Sequence, residues 1–134
     1  MKIPPAEIQV RFADIDVLGH VNNAVYLSYF ENARMHYFKH ILGEDWDWNE
    51  FGIILLKNEI EYLLPVRLYH KPIISVYLER MGNKSFTLGY NLEVNGELYC
   101  KGLSTLVGFD NVAQKTIVLP SPMKEGLLHL GSEQ

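Results

Sequence analysis

The hydrophobic pattern changes its period twice along the chain. Near the start, Ile8, Val10 and Phe12 alternate with polar residues, and this period of two predicts a short strand with one buried face. A stretch with helical spacing follows. After residue 50, apolar residues again alternate or run together between turn residues, which is typical of strands. The predicted order is therefore a strand, a helix and then mostly strands.

The central stretch, residues 23–42, repeats its apolar positions every three or four residues and predicts a long helix. Asn22 or Asn23 is a candidate cap for its start, and Gly43 is a candidate end. The stretch leaves few polar positions on any side of the helix. We therefore expect other elements or a second copy of the chain to wrap it.

Four further strands and a short helix are predicted in the second half of the chain. The strands cover residues 53–62, 73–80, 86–94 and 98–109, and the helix covers residues 123–130. Asn95-Gly96, between the last two strands, is the dipeptide most typical of a tight β-hairpin. Residues 132–134 are predicted to be a loose tail. This order favours an α+β fold in which a mostly antiparallel sheet packs on one long helix.

The size of the chain predicts one domain, residues 1–134, because 134 residues that are 48% hydrophobic supply one sizeable core. A single long helix covers only one face of the predicted sheet. Association through an edge strand or through the open face would complete the burial. We therefore expect a homo-oligomer, either a dimer or a tetramer.

Charge and cysteine content narrow the class of protein. The formal net charge of -4 argues against a general nucleic-acid binder. Cys100 is the only cysteine, so an internal disulfide is excluded and a reducing compartment is favoured. The first residues lack the apolar core of a secretory signal, and no segment is apolar for long enough to span a bilayer. We expect a cytoplasmic protein without membrane insertion.

The densest group of reactive side chains is the sequence RFADIDVLGHVNN, residues 11–23, directly before the helix. Asp16 is the leading candidate for a nucleophile or general base, because a carboxylate can attack a thioester or activate a water. A turn or capping role is the alternative for Asp16. A structural role for Asp14, such as pairing with Arg11, is favoured over a proton shared with Asp16.

The end of this segment offers groups that complement a carboxylate. His20 is a candidate to bind substrate, orient Asp16 or protonate a leaving group, and packing within the loop is its alternative. Gly19 permits a sharp turn and a close approach of the main chain to a ligand. Main-chain N–H groups at Asn23 or its neighbours are candidates to hold the oxyanion of a thioester carbonyl, because a helix start presents unpaired donors.

Two features are weaker candidates for chemistry. Glu31 lies two turns into the helix and is the fallback carboxylate, although an ion pair with Arg34 is the favoured interpretation. The turn RMGNKS, residues 80–85, carries Arg80, Lys84 and Ser85, which are suitable ligands for phosphate. A surface turn without a ligand is the alternative.

The sequence predicts no metal site. The five histidines are dispersed, and His36 with His40 is an i,i+4 pair without a third ligand. The chain has no phosphate-loop signature, no dinucleotide fingerprint and no Gly-x-Ser-x-Gly motif. A hydrolytic function therefore depends on the carboxylate.

The sequence RFADIDVLGHVNNAVYLSYFE, residues 11–31, closely resembles the motif of hotdog-fold acyl-CoA thioesterases of the 4-hydroxybenzoyl-CoA thioesterase type. The order of elements resembles that family over essentially the whole chain. The resemblance implies a single hotdog domain, with a curved antiparallel sheet around one long central helix. It also implies dimers that join two sheets, and often tetramers built from such dimers.

The same resemblance implies site residues. Asp16 matches the catalytic aspartate, and an amide near Asn23 would polarise the thioester carbonyl, with Gly19 and His20 completing the catalytic set. The substrate-binding set is Tyr26 on the first turn of the helix with Arg80, Lys84 and Ser85, whose turn would hold the nucleotide end of coenzyme A across a subunit interface. Val17 stands where the aromatic-specific branch tends to have proline, which favours the broader acyl-CoA branch.

The implied function is hydrolysis of an acyl-CoA to a free acid and coenzyme A. No cofactor is expected, because coenzyme A is part of the substrate and of the product. Two alternatives are a non-catalytic hotdog module that binds acyl-CoA or scaffolds a complex, and a thioesterase acting on acyl carrier protein. A hydratase is disfavoured because the usual aspartate and histidine arrangement of that branch is not evident.

Overall fold

The computed structural model describes residues 2–133, and its element order follows the hydrophobic pattern. Two helices and six strands form between these residues, together with a single 3-10 turn at Phe12–Asp14. The elements are β1 (Ala6–Glu7), α1 (Val25–Leu42), β2 (Gly52–Tyr62), β3 (Ile73–Met81), β4 (Ser85–Val94), β5 (Glu97–Asp110), β6 (Lys115–Thr116) and α2 (Ser121–Leu130).

The strands form one antiparallel sheet in the order β1-β3-β4-β5-β2, and β6 extends β5 as a short hairpin. Register shifts interrupt the three long ladders, between β2 and β5, β3 and β4, and β4 and β5. Such bulges bend strands and increase twist, so the sheet curls. The curled sheet holds α1 on its inner face, which confirms the predicted α+β hotdog architecture.

Close contact between α1 and the sheet depends on a small residue in β5. The Phe30 ring stacks on the Tyr90 ring of β4, with ring centroids 4.4 Å apart and planes 7° from parallel. A Cβ atom at Gly102 would lie 2.6 Å from the Phe30 ring. Glycine at this position therefore lets the aromatic side chain lie directly on the sheet.

The first strand is shorter than predicted. Ile8 and Val10 are buried as the alternation requires, but only Ala6–Glu7 pairs with β3. The prediction is wrong for Phe12, which is 81% exposed. The chain turns at Phe12–Asp14, where the Asp14 carboxylate accepts a hydrogen bond from the main-chain N–H of Arg11, and the strand period ends there.

The main helix begins at Val25, two residues after the predicted start, and ends at Leu42 before Gly43. The predicted cap at Asn22 or Asn23 is wrong, because the N-cap is Ala24 and no side chain caps it. Asn22 Oδ1 instead accepts a hydrogen bond from Ala24 N–H at 2.9 Å in the turn before the helix. Glu31 and Arg34 form the predicted ion pair at 3.9 Å.

The remaining strands and α2 begin and end within about two residues of the predicted limits. Asn95 and Gly96 both have positive φ, 51° and 82°, which confirms the tight hairpin between β4 and β5. The two-residue strand β6 is too short to produce a hydrophobic period and was not predicted.

The prediction of a loose C-terminal tail is wrong for Glu133. Its carboxylate accepts a hydrogen bond from Asn91 Nδ2 at 2.9 Å and lies 3.7 Å from Lys101 Nζ. Leu78 N–H donates to the carbonyl of Gly131 at 2.7 Å, so the segment after α2 lies along the edge of β3. These partners come from distant strands, which the sequence pattern does not reveal. Gln134 lies outside the described residues.

Candidate active site

A cleft of about 520 Å³ lies where the Asp16 turn, the start of α1 and the segment after β2 meet. Four of the predicted site residues line this cleft, namely Asp16, His20, Asn23 and Tyr26. A wall formed by residues 62–65, which was not predicted, lies with them. The lining residues are Asp16, Leu18, His20, Val21, Asn22, Asn23, Tyr26, Tyr62, Leu63, Leu64 and Pro65.

Asp16 has one oxygen engaged and one available. Its Oδ1 accepts hydrogen bonds from the main-chain N–H groups of Leu18 at 2.9 Å and His20 at 3.3 Å. Oδ2 accepts none from residues 2–133. The turn role that was the alternative for Asp16 is therefore present, and it fixes the carboxylate while leaving one oxygen at the partly exposed cleft surface.

The turn closes on itself between Asp16 and His20. Asp16 N–H donates to the carbonyl of His20 at 2.8 Å, and Gly19 N–H donates to the carbonyl of Asp16 at 3.0 Å. Gly19 has φ +78°, a conformation that side-chain-bearing residues rarely adopt. The sharp turn predicted at Gly19 is thus confirmed, whereas a role for it in catalysis stays a prediction.

Asp14 stabilises the segment before this turn through buried hydrogen bonds. Its buried carboxylate accepts hydrogen bonds from Tyr29 Oη at 2.7 Å and from the main chain and guanidinium of Arg11, both at 3.0 Å. Burial by itself would raise the pKa of the Asp14 carboxyl, but the hydrogen bonds from Arg11 and Tyr29 outweigh it and the pKa is lowered. The predicted structural role and the pairing with Arg11 are confirmed.

The main-chain N–H of Asn23 is an unpaired donor at the edge of the cleft. Between His20 and Val25, every other main-chain N–H donates a hydrogen bond, to Asp16, Val66, Asp14 or Asn22. Asn23 N–H has no acceptor among residues 2–133. An open donor at the positive end of a helix is well placed to bind a developing oxyanion.

Two tyrosines form the inner part of the cleft. The rings of Tyr26 and Tyr62 meet edge to face, with centroids 5.0 Å apart. Tyr26 Oη accepts a hydrogen bond from Val66 N–H at 3.3 Å, and burial raises the pKa of this phenol. Tyr26 is only 2% exposed, so it forms the closed inner end of the cleft.

His20 lines the cleft, but no hydrogen bond fixes its ring within the described part of the chain. Its three proposed roles therefore stay predictions. Glu31 is not among the residues that line the cleft. Glu31 instead pairs with Arg34, so the structure does not bring the fallback carboxylate into the lining of the Asp16 cleft.

The turn that carries Arg80, Lys84 and Ser85 lies at the other end of the sheet. In the β4–β5 ladder, Ser85 pairs with Val107, whereas the end of β2 that lines the cleft pairs with β5 at Cys100. Seven residue steps along a strand correspond to about 23 Å. Within one chain, the structure therefore does not bring this turn to the Asp16 cleft.

The wall from Tyr62 to Pro65 was missed by sequence reasoning. The hydrophobic pattern gives the end of β2 and its stop at Pro65, but the position of that end over the helix start depends on how far the sheet curls.

Cys100, opposite Tyr62 in the ladder, is fully buried. Burial raises the pKa of its thiol to about 12. This cysteine is therefore a packing residue.

Metal and membrane features can be described for residues 2–133. In this range no three histidine, cysteine, aspartate or glutamate side chains are grouped as metal ligands would be. The i,i+4 histidines have other partners, because His36 Nε2 contacts the carbonyl of Pro4 at 2.9 Å and His40 Nδ1 contacts that of His36. Neither of the helices formed by these residues is long and apolar enough to cross a membrane.

The cleft holds a fixed carboxylate and an open amide at a helix start, an arrangement that is chemically suited to the class of thioester hydrolases. Comparison with known proteins agrees with this class. A model of the thioesterase-like superfamily matches residues 10–127, and the chain belongs to this family.

Individual relatives extend over almost the whole chain. The chain is 29% identical over 126 residues to the long-chain acyl-CoA thioesterase FadM of Escherichia coli (strain K12), covering 90% of this chain and 94% of FadM. It is 31% identical over 128 residues to the uncharacterized protein YsmA of Bacillus subtilis (strain 168), covering 92% and 84% of the two chains.

A solved structure gives the same comparison in three dimensions. A thioesterase from Thermus thermophilus, crystallised with coenzyme A and zinc, is 36% identical and superimposes with a TM-score of 0.80. The alignment covers 91% of this chain and 94% of that one. Membership of the superfamily places the chain among thioester hydrolases.

Proposed function

We propose that the protein hydrolyses acyl-CoA thioesters to a free acid and coenzyme A. The observation that carries this proposal is the pairing, in one cleft, of a carboxylate oxygen without a donor at Asp16 and an N–H without an acceptor at Asn23. The similarity to FadM and to the coenzyme A-bound Thermus thioesterase supports an acyl-CoA as the substrate.

The chemistry assigns a role to each group. Asp16 Oδ2 either attacks the thioester carbonyl, forming a mixed anhydride that water then opens, or removes a proton from an attacking water. Negative charge develops on the carbonyl oxygen in both cases, and Asn23 N–H stabilises it. Water supplies OH to the acyl group and a proton to the departing sulfur, so the reaction uses no cofactor.

The test is release of free thiol from a panel of thioesters. Short, long and aromatic acyl-CoAs are compared, and the best acyl group is also presented on acyl carrier protein. We expect turnover of at least one acyl-CoA, with a higher kcat/KM than for the same group on the carrier protein. Binding without turnover across the whole panel would instead indicate a binding module, and preference for the carrier protein would move the substrate class.

The Arg80–Ser85 turn is proposed to hold the phosphates of coenzyme A bound to a neighbouring subunit. Arg80 Nη2 donates to Ser85 Oγ at 2.9 Å, and both cationic side chains of the turn, Arg80 and Lys84, are exposed. Lys124 of α2 adds a third cation, because its Nζ lies 3.3 Å from Asn83 Oδ1. The distance along the sheet explains why the turn and the cleft would come from different copies.

The edge strand β2 supports a homodimer. Within residues 2–133 it pairs only with β5, which leaves its outer edge open over 11 residues. Ile54, Leu55 and Leu56 on this strand are 38%, 40% and 61% exposed. A long apolar edge strand is a template for pairing with another strand, so we propose that two copies join here, with tetramers built from such dimers.

A buried sole cysteine is in keeping with a cytoplasmic location.

Charge on this edge should separate the subunits. In the double variant Ile54→Lys/Leu56→Lys, like charges would face each other across the paired edges and destabilise the association. We expect wild type to have the mass of a dimer or tetramer in sedimentation equilibrium, and the variant to have a lower mass. Val112→Lys, at the exposed turn before β6, is the matched control and should keep the wild-type mass. A monomeric wild type at tens of micromolar would contradict the proposal.

A further inference from the structure

Tyr62 connects the end of β2 to the peptide group beside the open amide. Its Oη donates a hydrogen bond to the carbonyl of Asn23 at 2.9 Å. The two residues are 39 positions apart in the sequence, so only the curl of the sheet brings them together. Among residues 2–133, no other side chain donates a hydrogen bond to this carbonyl.

Both peptide groups around Asn23 are fixed by hydrogen bonds. The carbonyl of Asn22, which shares its peptide group with Asn23 N–H, accepts from Val25 N–H at 2.9 Å. The next peptide group is held at both ends, by Asn22 Oδ1 on Ala24 N–H and by Tyr62 Oη on the Asn23 carbonyl. Rotation of the peptide group that carries Asn23 N–H would break the bond from Val25 N–H, and Tyr62 and Asn22 hold the adjoining peptide group in place.

We infer that Tyr62 is a positioning residue for the oxyanion site, which orients Asn23 N–H through the Asn23 carbonyl. The inference rests on the proposed thioester hydrolysis and adds a residue that acts on it from the edge strand. A donor positioned before reaction stabilises the transition state without reorganising, so loss of its orientation lowers the rate more than it weakens substrate binding.

The variant Tyr62→Phe removes only the hydroxyl and keeps the ring that packs on Tyr26. We expect kcat for the best acyl-CoA to fall about tenfold, while KM stays within about twofold, because the lost interaction acts mainly in the transition state. Tyr69→Phe is the matched control, since Tyr69 is 90% exposed and outside the cleft, and it should keep wild-type kinetics. The thermal midpoint of each variant establishes that it is folded.

A spectroscopic measurement separates positioning from a general loss of structure. An acyl-CoA labelled with carbon-13 at the thioester carbonyl is bound to Asp16→Asn, with and without Tyr62→Phe, and the carbonyl stretch is recorded by infrared difference spectroscopy. Hydrogen bonding to Asn23 N–H should lower the stretching frequency relative to free substrate. The double variant should lose part of this shift while it still binds the thioester.

The outcomes distinguish this inference from the proposed function. Absence of turnover by wild type on every acyl-CoA would overturn the proposed function and this inference with it. An active wild type with an unchanged kcat and an unchanged carbonyl shift in Tyr62→Phe would overturn the inference alone. A parallel rise in KM without a change in kcat would assign Tyr62 to substrate binding and would also overturn it.

Discussion

Replacement of Asp16 by asparagine is expected to lower kcat for acyl-CoA hydrolysis about a thousandfold, with little change in fold or in acyl-CoA affinity. The asparagine Oδ1 keeps the acceptor for Leu18 N–H and His20 N–H, so the turn is preserved. The oxygen that is lost is Oδ2, the one without a donor. Single-turnover thiol release measures the rate, and equilibrium binding of a slowly hydrolysed acyl-CoA measures the affinity.

Asp110→Asn is the matched control for this experiment. Asp110 Oδ1 accepts hydrogen bonds from Val112 N–H and Ala113 N–H, both at 2.9 Å, so it has the same kind of turn role without a cleft. Its rate should equal that of wild type. Hydrolysis by Asp16→Asn at the wild-type rate would show that Asp16 is only a turn residue.

Replacement of Asp14 by alanine should cause the largest loss of stability, about 3 kcal/mol, or a fall of about 10 °C in the thermal midpoint for a chain of this size. The alanine leaves the buried hydroxyl of Tyr29 without its acceptor and removes a carboxylate that is only 2% exposed. The Arg11 head is largely exposed, so the ion pair itself contributes little. Thermal unfolding followed by circular dichroism measures the change.

The contribution of the Asp14 carboxylate to stability is expected to depend on pH. Because the pKa of Asp14 is lowered in the folded state below its ordinary value of 3.8, the ionised carboxylate stabilises the fold above that pH. The stabilisation is lost as pH falls through the lowered pKa. The difference in midpoint between wild type and Asp14→Ala should therefore be constant near neutrality and shrink below pH 3.8.

Glu44→Gln provides the control for an ion pair at the surface. Glu44 pairs with Lys39 at 2.8 Å, but both side chains are exposed. Solvent screens such pairs, so this variant should keep the wild-type midpoint. A loss of stability equal to that of Asp14→Ala would show that burial is not what makes the Asp14 contacts valuable.

Most of the fold could be predicted from periodicity alone. The helix with its end at Gly43, the four long strands and the Asn95-Gly96 hairpin depend on local spacing and local turn chemistry, which the sequence displays directly. The exposed Phe12 was mispredicted because the period of two continues past the point where Asp14 captures Arg11 N–H. Contacts with distant partners override the local pattern at that position.

The candidate site also has a part that depends on local sequence and a part that depends on distant contacts. The Asp16 turn and the amide near Asn23 are local features of one segment, so the sequence pattern locates them. Tyr62 comes from 39 residues away, and its contact depends on the curl of the whole sheet. The sheet also determines the position of the Arg80–Ser85 turn, because strand pairing sets the distance between this turn and the cleft.

The burial of Cys100 gives the native protein a silent background toward thiol reagents. Its sulfur is enclosed by the sheet and holds its proton far above neutral pH, and the chain has no other cysteine. In the proposed reaction, a disulfide reagent added to the folded protein is therefore expected to react with the released thiol rather than with Cys100. In a sample without thioester, the same sulfur becomes a stoichiometric marker of unfolding once the sheet opens, so one reagent serves two separate assays.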